Sequence, residues 1–231
     1  MRTDGDTWVL GLDATKHGWA GIHWSGGDTV RGVFGPTIQS AVAAAGAVDT
    51  VAIDIPIGLP DTSRRLADEL ARKAVGPRRS SVFSTPIRAA LETETYAEAL
   101  DVSRHRAGFG LSAQAYALRG KVLEVDAFLR SSNVRIVEVH PEVCFAAMNG
   151  EPVAWSKRTW RGMNHRHDLL KAAGIGLPQD LGAVGEKAGA DDVLDAGAAA
   201  WTAMRVSRGE ASCLPEQPEV FSDGWPAAIW V

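Results

Sequence analysis

The chain has 231 residues, 45% hydrophobic and 23% charged, with a formal net charge of −4. That is room for one good core, alone or with a sizeable insertion, and it argues against a protein that coats nucleic acid without regard to sequence. Two cysteines, Cys144 and Cys213, stand far apart with no CxxC or CxxH pattern, so neither a zinc knuckle nor a disulfide framework is supported.

In chain order, the N-terminal residues Met1 to Asp6 lack the apolar middle of a signal peptide, and no apolar stretch reaches membrane-spanning length. A cytoplasmic protein with no membrane partner is expected. Trp8–Asp13, Gly18–Trp24 and Thr29–Phe34 read as strands of an antiparallel meander, with Ser25-Gly26-Gly27-Asp28 as a turn. Thr37–Val48 reads as a helix leading to a returning strand, Thr50–Ile55. From Asp61 to Ser132 the patterns turn helical. Thr62 or Ser63 can cap a helix through Arg72, Thr93 one over Glu94–Arg104, and Ser112 a long one to Arg130. A polar loop, Gly76 to Arg88, interrupts them. Val134–Val139 returns to strand, and His140-Pro141-Glu142 breaks it. Asn164–Ala173 reads as a helix, Gly182–Ala190 as a small-residue linker, and Asp191–Ser207 as the last strong helix. Gly224–Val231 suggests a short closing strand.

The acids are placed unusually. Asp13, Asp54 and Glu138 each sit in or at the end of an apolar run, and Asp192 and Asp195 lie one turn apart on the last helix. A carboxylate at the end of a buried strand is costly unless it is paired or binds a cation. Together they predict a divalent-metal site. Asp191 and Asp195 also share a helix face, so the helix pairing stays open. An acidic first turn complementing the helix dipole explains Asp191 or Asp192 taken singly, and an Asx turn is the simple explanation of Asp13.

Basic residues crowd Arg64 to Arg88. Arg79, Ser81, Ser84 and Arg88 form a candidate phosphate-binding loop, weighed against solvated surface. Lys157, Arg158, Arg161 and Arg166 form a second basic segment, in which Lys157 is a candidate contact to phosphate or nucleic acid. Trp155 and Trp160 are candidates for stacking on a base. His140 and Glu142 follow the Glu138 strand as candidate proton carrier and outer ligand. His165 and His167 make a poor zinc pair and read as surface residues.

The stretches Gly11-Leu12-Asp13, Ile53 to Pro60, Arg79 to Phe83, Glu138 to Glu142 and Asp191 to Ala196 resemble those of the domain-of-unknown-function family 429, predicted ribonuclease H-fold nucleases. The Asp192–Ala196 segment is also similar to the acidic helix of RuvC-type resolvases. The resemblance implies an α/β fold over residues 1–231, a ribonuclease H-like mixed β-sheet flanked by helices, with a mainly helical insertion over 61–132 after the fourth strand. It implies a metal-dependent nuclease in which Asp13, Asp54 and Asp192 or Asp195 hold two Mg²⁺ or Mn²⁺ ions, with Glu138 less clearly matched. The expected partner is nucleic acid or a phosphate ester. The alternatives are a non-catalytic binding module on the same fold and an actin-like phosphotransferase. The latter lacks support because no glycine-rich phosphate loop and no second copy of the domain are visible.

Overall fold

The computed structural model describes residues 7–231, so the N-terminal segment read for a signal peptide lies outside the described residues. A seven-stranded mixed sheet forms its centre, in the order β3-β2-β1-β4-β5-β7-β6. β1 (Val9–Thr15), β2 (Gly18–Trp24) and β3 (Val30–Gly35) are the antiparallel meander. Thr37 caps α1 (Ile38–Ala45) by accepting from the Ser40 amide at 3.2 Å. The chain then returns as β4 (Thr50–Ile53), parallel to β1.

Between β4 and β5 (Arg135–Val139) the described chain is helical: α2 (Leu66–Ala74), a 3-10 turn (Gly76–Ser81), α3 (Arg88–Leu91), α4 (Tyr96–Ala107), α5 (Ala113–Ala117) and α6 (Arg119–Ser131). Neither Thr62 nor Ser63 caps α2. The Leu66 amide instead donates to Glu219 at 2.6 Å, a cap brought from the far end of the chain. The long helix expected from Ser112 is split at Leu118, where Arg119 turns to donate to the Leu91 carbonyl at 2.8 Å.

After β5, Pro141 opens α7 (Pro141–Asn149) where a break was expected. Proline has no amide hydrogen to lose at a first helical position. α8 (Trp160–Ala172) and a short α9 (Ala183–Lys187) lead to α10 (Ala190–Arg208). β6 (Cys213–Val220) was not foreseen, since Pro215 and Pro218 argue against a strand. It is the sheet's edge, where a missing donor costs nothing. β7 (Pro226–Trp230) closes the sheet beside β5. Among the described residues, no helix is long and apolar enough to cross a membrane.

Side-chain alternation divides the core between the two faces of the sheet. Val9, Ala52, Val137 and Val139 pack under α10 with Phe145 and Leu170. Leu10, Leu12, Val51 and Ile53 pack on the other face with Ile38, Val122 and Val125. Gly11 lets α10 lie directly on β1. A Cβ there would stand 2.1 Å from the Ala196 carbonyl oxygen and the Ala200 nitrogen.

Candidate metal centre

Strand parity carries the acids to their places. Asp13 lies on the Val9–Gly11 face of β1, toward α10. Asp54 follows β4 on the face of Ala52, with its amide donating to the Leu12 carbonyl at 3.2 Å. On α10, Asp191, Asp192 and Asp195 turn toward them. All five line a cleft of about 620 Å³, walled by the 3-10 turn and by the loop before α8.

Asp13 is the least satisfied of these groups. It is 7% exposed. Among the described residues its carboxylate has no hydrogen bond and no ion pair. Burial, then the negative charges of Asp195 and Asp54, push its carboxyl well above the usual range. Asp54 is raised by burial, against the pull of His140 and Lys157. Asp195 is pushed up to about 7 by burial, with Lys157 opposing. Burial also raises Asp192, although its carboxylate caps α10 by accepting from the Gly189 amide at 2.9 Å.

Lys157 enters from the loop. Its Nζ lies 2.5 Å from Asp195 Oδ2 and 3.6 Å from Asp191 Oδ2. Burial works against its charge, but the attraction of Asp195 leaves its pKa above the ordinary lysine value. Arg166, fully buried, fixes this region. It donates to both oxygens of Glu142, at 2.8 and 2.6 Å, and to the Trp155 carbonyl at 3.0 Å. Glu142 therefore reaches the cleft already paired. Sequence reasoning saw Arg166 only as one of a basic run, because its partner lies 24 residues away in another helix. His140 also lines the cleft. Its Nδ1 is buried without a hydrogen-bond partner, and its Nε2 lies 3.4 Å from the Ser81 carbonyl oxygen.

Four expected site residues lie elsewhere. Glu138 pairs in register with Ile53 and shares the parity of Ile136, so it faces away from Asp13 and Asp54. There it accepts from Arg65 at 2.6 Å and from the Ile57 amide at 2.7 Å. It is a buried scaffold ion pair. Arg88 forks onto Asp126 at 3.0 and 2.8 Å and reaches Asp223 at 3.0 Å. Ser84 accepts from Arg64 and Arg72, each at 2.8 Å. Arg79 opens onto a separate groove beside Glu69 and Lys73. Ser81 and Lys157 do line the cleft, joined by Arg78, Ser80 and Arg158, which sequence reasoning did not single out. A 3-10 turn rotates its side chains by about a third of a turn per residue, which is why Arg78 rather than Arg79 faces inward. Trp155 is covered by Arg161, 3.7 Å above its ring, whereas Trp160 is 81% exposed.

A hard divalent ion takes oxygen ligands, and Asp13, Asp54 and Asp195 are carboxylates on rigid elements lining one cleft. Among the described residues, no three His, Cys, Asp or Glu side chains are already drawn together to hold a metal ion. The carboxylates are thus near one another without forming a ready-made cage. The donor chemistry fits, with Asp13 the group that most needs a cation.

No curated protein and no solved structure matches the chain. The model of one family, described as a protein of unknown function (DUF429), matches residues 11–220. That span takes in most of β1 with Asp13, β4 with Asp54, the cleft-lining turn and loop, and the whole of α10, so the chain belongs to the DUF429 family.

Proposed function

We propose that this protein is a divalent-metal-dependent phosphodiester hydrolase, a nuclease on a ribonuclease H-like sheet. The observation that carries the reading is Asp13: a buried carboxylate with no hydrogen bond and no ion pair among the described residues, facing two further carboxylates, with only the longer-range attraction of Lys157 to offset them. Such a group either keeps a proton or is completed by a cation. The order β3-β2-β1-β4-β5, with α10 laid across β1, supports the ribonuclease H-like assignment, since that plan sets its acids on the first and fourth strands and a late helix.

The cleft is acidic at its floor and basic at its rim, the charge logic of a site for a phosphate ester. Asp13 and Asp54, with Asp195 or Asp192 from α10, would hold Mg²⁺ or Mn²⁺. Bound there, the ion supplies charge stabilisation at the phosphoryl oxygens and a nucleophile usable near neutral pH. Arg78 and Arg158 would hold the phosphate by charge-assisted hydrogen bonds, with the Ser80 and Ser81 hydroxyls beside them. His140, with a free buried Nδ1, is placed to carry a proton to the leaving oxygen. The reading includes a cytoplasmic setting, in which the thiols of Cys144 and Cys213 stay reduced.

The test is cleavage of single-stranded, duplex and junction DNA and RNA with Mn²⁺, comparing wild type with Asp13→Asn and Asp54→Asn. Metal-dependent cleavage lost in both folded variants is expected. Cleavage that persists in Asp13→Asn, or without metal, would refute the assignment. The Lys157–Asp195 pair favours one second reading, a binding module for nucleic acid or a phosphate ester, because it occupies an oxygen that turnover would need. Tight substrate binding with no hydrolysis of any substrate would establish it.

A further inference from the structure

The cleft already contains a cation, and its placement bears on how many metal ions can enter. Lys157 Nζ is 2.5 Å from Asp195 Oδ2, and Asp195 is 4% exposed. The loop that delivers the lysine is tied down rather than free. Arg166 holds the Trp155 carbonyl, the Thr159 hydroxyl donates to the Ser156 carbonyl at 2.8 Å, and Thr159 accepts from the Gly162 amide at 3.1 Å to cap α8. Asp13 has no hydrogen bond and no ion pair among the described residues and feels Lys157 only at longer range, and Asp54 has no side-chain hydrogen bond. Asp192 is drawn off toward the Gly189 amide. The unmet demand for positive charge is therefore concentrated on the strand side.

We propose that Lys157 is the resident second cation of this centre: its ammonium holds the Asp195 side, leaving Asp13 and Asp54 to bind a single divalent ion. This rests on the metal-site reading and refines it. Charge balance agrees. Asp13, Asp54 and Asp195 carry three negative charges when ionised, of which Lys157 cancels one and one divalent ion the other two. A second divalent ion on Asp195 would need the same oxygen that the ammonium uses. It would bring two positive centres within van der Waals range of each other in a poorly solvated place. Lysine provides a compact point charge that can stabilise a phosphoryl oxygen without the strict octahedral shell of Mg²⁺. In this role Lys157 is a positioning group for Asp195 and a direct contact for the anionic ligand.

The experiment is Mn²⁺ titration of the purified full chain, by calorimetry for affinity and electron paramagnetic resonance for the count. Wild type is expected to bind one ion, Lys157→Arg one, and Lys157→Met two. Asp195→Asn should keep its single ion and Asp13→Asn should lose it, which decides the matter even if Lys157→Met fails to fold. Two ions in wild type, one unchanged ion in a folded Lys157→Met, or loss of the ion in Asp195→Asn would overturn the role given to Lys157 while leaving the metal site intact. No ion in wild type would sink the metal site itself, and the inference with it.

Discussion

Arg65→Met is the perturbation that separates scaffold from site. The guanidinium is fully buried, donates to Glu138 at 2.6 Å and to the Ile57 carbonyl at 2.9 Å, and lies 3.2 Å from Asp68. Asp68 keeps the Thr85 amide at 2.7 Å and hydroxyl at 3.1 Å, whereas Glu138 is left with only the Ile57 amide. Breaking one side of such a buried pair costs about 3–5 kcal/mol, and the loss falls on Glu138. For a chain of this size that lowers Tm by roughly 6–20 °C. The sign with pH follows from Glu138, which burial pushes up to about 7 even with Arg65 drawing it down. Folded Glu138 thus binds its proton more tightly than unfolded Glu138, so its ionisation weakens the fold as pH rises from the ordinary carboxylate value through about 7. Without Arg65 the shift is larger, so the deficit of Arg65→Met should shrink at pH 5 and be largest at pH 8.5. Urea melts at both pH values measure it. The double variant Arg65→Met/Glu138→Leu should recover most of the loss, since an apolar pair leaves no uncompensated charge. A single-variant cost under about 1 kcal/mol, or a double variant no better than the single, would refute the reasoning.

Asp13→Asn should have the opposite effect on stability. In the metal-free protein at pH 8 it should gain about 1–3 kcal/mol by removing a buried, unsatisfied charge, with the gain fading as pH falls toward the ordinary carboxylate value. Urea melts showing a loss instead would remove the case for a cation at Asp13. Asp195, held at about 7, keeps its proton better folded than unfolded, so metal-free stability should decline between pH 5 and 8 and Mn²⁺ should flatten that decline. A metal-free profile that rises over the same range would contradict this. Gly11→Ala places a methyl against the α10 backbone and should cost about 3 kcal/mol in urea melts, because α10 is pushed off β1. A cost under about 1 kcal/mol would show that α10 and β1 can part without strain, against the close approach at Gly11.

The sequence by itself determined the elements whose signals are local. The meander, the returning strand, the acidic last helix and the helical run after β4 follow from alternation, helical period and capping residues, each readable within about a dozen positions. It also marked Asp13 and Asp54 as acids at the ends of apolar runs, and the parallel pairing of β1 with β4 then made them neighbours on matching parity. Glu138 looked equivalent in the sequence, at the end of the same kind of apolar run. Only the register of β5 against β4 turned it to the opposite face, and a one-residue difference in phase is invisible until both strands are paired. The partner of Glu138, Arg65, carried no sequence signal, since the two lie 73 positions apart. The same holds for Lys157 and Asp195, separated by 38 positions. β6 was hidden by its prolines, which forbid a central strand and are harmless at an edge that only the completed sheet defines. Local chemistry chose the elements and supplied the acids. Tertiary packing decided which charges are buried together, and so which acids are paired in the scaffold and which are left without a hydrogen bond or ion pair, because burial and pairing depend on long-range contacts.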